Sequence, residues 1–178
     1  MAILPIRTFG DPVLRERAAE VGPITEVHRR LVLDMLETMR AAPGVGLAGP
    51  QVGVMERVFV YEVDARAGAI FDPVIVARSD ELNEWEEGCL SIPGLYYPVI
   101  RPAEVRVEGR DETGAAVRLE ADGLLARVVQ HETDHLDGIL FIDRLSDEAR
   151  ADAMRVLRDQ ALGLPGAPPV RSGSGDHP

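Results

Sequence analysis

Apolar side chains in residues 24–41 return at helical spacing, at Val27, Leu31, Met35 and Met39, and Thr25 stands where an N-cap would. That spacing predicts an amphipathic helix with the four on a core-facing stripe. The next run, APGVGLAGPQVG, breaks the pattern with Pro43, Gly44, Gly46, Gly49 and Pro50 and reads as a loop with tight backbone requirements. Its glycines lack the spacings of a phosphate-binding loop. RVFVYEV at 57–63 reads as a strand. FDPVIVA at 71–77 reads as another, with Pro73 placing it at an edge or a bend. Residues 104–110 and 115–121 alternate apolar and polar around DETG, the pattern of a β-hairpin.

A helix follows over 123–136. Leu124, Val128, His131 and His135 fall at steps of four, three and four, so they share one face. A last helix is expected over 146–161, with Ser146 as N-cap and Met154, Leu157 and Ala161 turned inward. The Gly-, Pro- and Ser-rich residues 164–178 read as a disordered tail. The order of elements predicts an α+β fold. Antiparallel sheets would pack around the central helix that carries the two histidines, flanked by N- and C-terminal helices. Residues 1–163 are expected to form a single domain.

Composition narrows this picture. A chain of 178 residues with 46% hydrophobic and 28% charged side chains is globular and can bury a core unaided. Aromatics make up only 4%, so aliphatic side chains fill most of that core. The formal charge of −11 argues against a membrane partner and against direct nucleic-acid binding, while a local basic patch facing a ribosome stays open. A single cysteine, Cys89, cannot form an internal disulfide and fits a reducing compartment. The N-terminal residues lack the pattern of a signal peptide, and no run is long enough to span a bilayer, so a cytoplasmic protein is expected.

The chemistry centres on QHETDHLDG, residues 130–138. Histidines at i and i+4 of a helix can reach one metal ion. The residue after the first of them, Glu132, is angled to the side, where a carboxylate can hold a water. The HExxH spacing is moderately specific, arising by chance in roughly one chain in a hundred of this composition. Two solvated histidines on an exposed helix are the ordinary alternative. A third ligand is needed. The zincin class with His-x-x-Gly-x-x-His is excluded, because Gly138 fits but Phe141 takes the place of the histidine. Glu148 in the next predicted helix is one option. Cys89, in EEGCLSIPG, is another: a thiolate with two imidazoles leaves the fourth position open, as in catalytic sites. An isolated cysteine is, however, more often a small buried hydrophobe.

Three separated segments, GVGLAGPQ at 44–51, EGCLS at 87–91 and QHETDHLDG at 130–138, together with GDPVLR at 10–15, give the chain a resemblance to the peptide deformylases over roughly residues 4–145. The resemblance implies hydrolytic removal of the formyl group from N-formylmethionyl nascent peptides, with release of formate. It implies Cys89, His131 and His135 as ligands to one divalent metal, Fe2+ foremost and Zn2+, Ni2+ or Co2+ as alternatives. It implies Glu132 as acid and base, with the Gln51 amide and the Leu90 backbone N–H on the formyl oxygen. It further implies that Gly44, Val45 and Gly46 run beside the bound peptide, with Val45, Leu90 and Val128 near a methionine pocket. Arg101 would hold the substrate backbone, or order the site by pairing with Glu87. The expected state is a monomer. The chain departs from the family pattern at Gly49, where alanine is usual, and this predicts a looser backbone beside Gln51. The competing readings are a protease using Glu148, a non-catalytic binding protein that keeps the fold, and a closed structural metal site, for which His28 and His177 are the spare histidines.

Overall fold

The computed structural model describes residues 2–164. A short 3₁₀ turn, Pro12–Arg15, precedes helix α1, Glu26–Ala41. Then come strands β1 (Gly46–Ala48), β2 (Val58–Val63), β3 (Arg66–Arg78), β4 (Leu82–Cys89), β5 (Ile92–Pro102), β6 (Glu104–Arg110) and β7 (Ala116–Asp122). Helices α2 (Gly123–Leu136) and α3 (Asp147–Ala161) complete the order. Neighbouring strands are antiparallel throughout. One sheet has the order β1-β2-β3-β6-β7, and β4 and β5 form a separate two-stranded sheet. This is the α+β architecture the patterning predicts.

The predicted β6–β7 hairpin forms, in register from Glu104 opposite Asp122 to Arg110 opposite Ala116. Pro73 marks a bend, not an edge. It lies in β3, between β2 and β6, where the register shifts between Phe71 and Val74 and Asp72 has φ of 49°. A proline cannot donate to a ladder, so it needs such a break. The β4–β5 hairpin was not apparent in the sequence. LNEWEEGC keeps mostly polar side chains and shows no clean alternation, since most of that strand is not buried. Pro93 and Pro98 fit in β5 because, among the described residues, β4 is its one partner.

Buried aliphatic and aromatic side chains form three clusters. Helix α2 packs Leu125, Ala126, Val129 and Leu136 onto Phe59, Ile70, Val105 and Val107 of the five-stranded sheet. Helix α1 packs Val32, Met35 and Met39 on Leu47, Val58, Val60 and Phe71 near the sheet's β1 end. The hairpin residues Ile92, Leu95 and Val99 pack with Leu140, Phe141, Ala153 and Val156.

Two predicted helix faces need correction. Val27 is 76% exposed. A step of four residues overshoots a helical turn by about 40°, so Val27 lies about 120° around the helix from Met39. The buried stripe uses steps of three and four, Val32, Met35 and Met39. In α3, Met154 and Ala161 are exposed, and Ala153 and Val156 are the buried pair. The residues 165–178, nearly all of the predicted tail, lie outside the described residues.

Helix α2 ends at Leu136 with Asp137 as its cap, and the next residue, Gly138, has φ of +73° and passes so close to Arg15 that an added Cβ would lie 2.5 Å from its carbonyl oxygen. Only glycine meets both conditions, which makes the turn after the second histidine a fixed point of the fold.

Candidate active site

Helix α2 carries His131 and His135 with ring centroids 4.9 Å apart. Leu124 and Val128 lie on the same face, as their spacing predicts, and line the cleft with His131. The end of β4 supplies Cys89, whose Sγ lies 3.2 Å from His135 Nε2. Among the described residues, Cys89, His131 and His135 are the one group of three metal-ligating side chains gathered together, their ligand atoms all within 4.8 Å of one another. Glu148 is exposed on α3 and takes no part.

The donor set fits a divalent transition metal. His131 Nδ1 lies 3.0 Å from Glu87 Oε2, which leaves Nε2 for the ligand side. The Nδ1 atom of His135 is buried without a hydrogen-bond partner, while its Nε2 faces the sulfur. Burial and repulsion from His131 hold His135 well below the ordinary imidazole range, in the neutral form that ligates. Burial also disfavours a charged His131, but its hydrogen bonds to Cys89 and Glu87 outweigh that and raise it well above its ordinary value. The anionic surroundings that hold a proton there equally favour a metal cation. One thiolate and two imidazoles suit zinc, iron or nickel, and three protein ligands leave a position open.

Glu132 is buried, and its Oε2 has no hydrogen-bond partner. Burial, against the pull of His131, lifts its carboxyl to about 7. Gly46 passes so close that any Cβ there would collide with the Glu132 carboxylate. This is the physical need for glycine in that segment.

Gln51 is 1% exposed. Its Oε1 accepts the Ala48 N–H at 2.8 Å, and its Nε2 lies 3.2 Å from Ser91 Oγ and 3.6 Å from Cys89 Sγ. The backbone contact fixes which end of the amide faces the site. Gly49 is not loose: a Cβ there would lie 2.7 Å and 2.8 Å from the carbonyl oxygens of Val54 and Glu56. The expectation of a slack loop beside Gln51 is therefore withdrawn.

These groups open on a cleft of about 520 Å³. Gly44, Val45, Gly46, Leu90 and Val128 line it, as do Gln51, Cys89, His131 and Glu132. Arg101, one of the residues assigned to substrate binding, does not line it. Its guanidinium is buried and engaged on Glu87 and Asp134, at 2.5–2.9 Å. Of its two expected roles, the geometry favours ordering the site.

Arg127, Asp134 and Ser91 escaped the sequence reading, and Glu87 entered it only as a partner for Arg101. A signal existed for Arg127. It lies four residues before His131 on a helix that is otherwise apolar along that stretch.

Known proteins resemble this chain in sequence and in fold. A family model described as "Polypeptide deformylase" matches residues 3–151. A peptide deformylase of Acidothermus cellulolyticus is 54% identical over 159 residues, covering 89% of this chain and 88% of the relative. The crystal structure of the peptide deformylase from Thermus thermophilus superposes with a TM-score of 0.85 at 47% identity, covering 90% of this chain and 96% of that one. A peptide deformylase from Ehrlichia chaffeensis, in complex with actinonin, gives a TM-score of 0.85 at 37% identity over 90% of this chain and 98% of that one.

Proposed function

The chain belongs to the polypeptide deformylase family, and from that premise we propose that Cys89, His131 and His135 hold its metal while Glu132, Gln51 and the Leu90 N–H carry out the hydrolysis. The enzyme is a metal-dependent hydrolase that removes the N-formyl group from nascent peptides. The observation that carries the residue assignment is convergence. Gln51, Cys89, His131 and Glu132 come from three separate stretches of chain and meet on one cleft.

When bound, the metal supplies Lewis acidity that lowers the pKa of a water toward neutrality. Glu132, buried and with one oxygen unpartnered, would take a proton from a water held at this site as the water oxygen attacks the formyl carbon. Gln51 Nε2 and the Leu90 N–H donate to the oxyanion that develops. The Ala48 contact pre-aims the amide, so little reorganisation is needed. Glu132 then delivers the proton to the departing amine, and formate leaves. Arg101 acts from behind, holding Glu87 against His131.

Among the described residues strand β1 pairs with β2 on one side only, so its outer edge can accept an extended peptide. That mode reads backbone, which suits an enzyme meeting many nascent chains. Val45, Leu90 and Val128 would receive the methionine side chain. We place Fe2+ in the site, with Zn2+, Ni2+ or Co2+ able to replace it, and read residues 2–163 as one catalytic unit acting as a monomer in the cytoplasm near the ribosome. No helix among the described residues is long and apolar enough to cross a membrane.

The test is formate release from N-formyl-Met-Ala-Ser by anaerobically purified protein, with metal content measured on the same sample. About one iron per chain is expected, and formate from the formyl but not the N-acetyl peptide. Glu132→Gln should reduce the rate by at least about 10²-fold while retaining the metal. Metal-loaded protein that releases no formate, or a Glu132→Gln enzyme of full activity, would overturn the assignment.

A further inference from the structure

The three proposed ligands come from two elements that no apolar core unites. Cys89 ends β4, and the histidines lie on α2. Among the described residues, the cluster that buries α2 contains no side chain of the β4–β5 hairpin, and the cluster that buries the hairpin contains none of α2. The distance between sulfur and imidazoles must therefore be set by something else.

Polar side chains cross that gap. From α2, Arg127 places Nη1 2.7 Å from Glu87 Oε1 on β4 and 2.9 Å from the Val99 carbonyl on β5. Its Nη2 lies 2.6 Å from Asn83 Oδ1 and 3.2 Å from the Asn83 carbonyl, near the start of β4. Its guanidinium also sits over the Trp85 ring, 5.4 Å from the centroid. From β5, Arg101 reaches back to Asp134 on α2 at 2.9 Å. Both arginines meet at Glu87. One carboxylate oxygen takes Arg101 Nε and Arg127 Nη1, and the other takes Arg101 Nη2 and His131 Nδ1. Four donors leave that carboxylate no freedom to turn, and through it they fix the ring of His131.

Arg127 is an expensive residue to keep there. It is 4% exposed, and its Nε is buried without a partner. A buried ion pair can often be replaced whole by apolar groups of similar size at little cost in stability, so the fold alone gives weak reason for an Arg127–Glu87 pair at this position. What the side chain does supply is a rigid fork with donors to both strands of the hairpin and to Glu87 at once.

We propose that Arg127 is a positioning residue for the metal centre. Through Glu87 it orients His131, and through Asn83 and Val99 it registers the hairpin that carries Cys89 against the helix that carries the two histidines. The proposal rests on the ligand assignment made above.

The full-length protein, stripped and reloaded with Co2+, provides the test. Co2+ affinity is read by competition with a chromophoric chelator, and the thiolate-to-cobalt absorption band reports the Cys89 contact. R127M and E87Q are each expected to weaken Co2+ binding by about 10–100-fold. R127M should also shift the absorption band. The double variant should bind no more weakly than the poorer single one, because both act through one contact. R127K keeps the charge but not the fork. It is expected to bind at least about threefold more weakly than wild type, and it carries the test should R127M not fold. If R127M, or R127K in its place, melts at a lower temperature yet binds Co2+ with wild-type affinity and spectrum, Arg127 is merely structural and the proposal falls. Cys89→Ala separates the premise. Undiminished Co2+ binding by that variant would overturn the ligand assignment itself. A lost site in Cys89→Ala beside an unperturbed R127M would overturn only the role of Arg127.

Discussion

At Gln51 a single amide is used from both ends. Its oxygen is tied to the Ala48 N–H, and its nitrogen faces Cys89 and Ser91. The bland reading of a loop glutamine, a backbone cap, and the functional one, an oxyanion donor, are thus the same arrangement seen from two sides. Gln51→Glu tests this at the residue scale, since a carboxylate can keep the Ala48 contact but cannot donate from the other oxygen. It is expected to keep a melting temperature within a few degrees of wild type and to lose about 10²–10³ in kcat on the formyl tripeptide. A loss confined to KM would point to substrate binding in place of oxyanion stabilisation.

At the scale of elements, α3 shows how a stripe can be misassigned by one position. Met154, Leu157 and Ala161 are apolar and helically spaced, and Leu157 does pack at the edge of the cluster, yet the helix rotates so that Ala153 and Val156, not Met154 and Ala161, meet Leu140 and Phe141. A neighbouring residue lies about 100° around the helix, so a shift of one residue decides which side chain is buried. Val156→Ala should therefore cost about 1–3 kcal/mol in urea unfolding, while Met154→Ala stays within about 0.5 kcal/mol. The reverse order would mean that α3 docks through its other face. The hairpin β4–β5 is the opposite case. Its strand β4 is mostly polar and buries one side chain, Glu87, while β5 supplies the apolar contacts, which is why LNEWEEGC gave no periodic signal.

For the whole molecule, acid is the informative stress. Burial would by itself raise the Glu87 carboxyl, but the hydrogen bonds from Arg101 and His131 outweigh it and hold the group well below its ordinary 4.5. A carboxyl that is a stronger acid in the folded state contributes its full stability above the ordinary carboxylate range. That contribution is lost as pH falls through the folded-state value. Asp143, facing Arg15, shifts the same way despite some burial. Glu132 has the opposite sign, since a carboxyl raised to about 7 contributes below 4.5 and loses that contribution as pH climbs toward 7. The urea midpoint of the metal-free protein is therefore expected to fall once pH drops below about 4.5, and to go on falling toward the folded-state value of Glu87. Glu87→Gln should flatten that slope, and an unchanged slope would show that Glu87 does not stabilise the fold by being ionised.

The α+β class, the β6–β7 hairpin, helix α2 and its HExxH spacing were legible from order and spacing. Each rests on contacts within a short stretch of chain, which the sequence writes as period and punctuation. Even the choice between Cys89 and Glu148 could be anticipated only by resemblance to a family, because the sulfur and the imidazoles are separated by more than 40 residues. The tertiary structure decided the rest. It brought Cys89 to 3.2 Å from His135, turned Arg101 away from the cleft, gave Glu87 four donors, and packed Gly49 tightly where freedom was expected. These depend on which surfaces meet once the sheets and helices dock, and a buried charge shows what it is for only when its partners arrive from other elements.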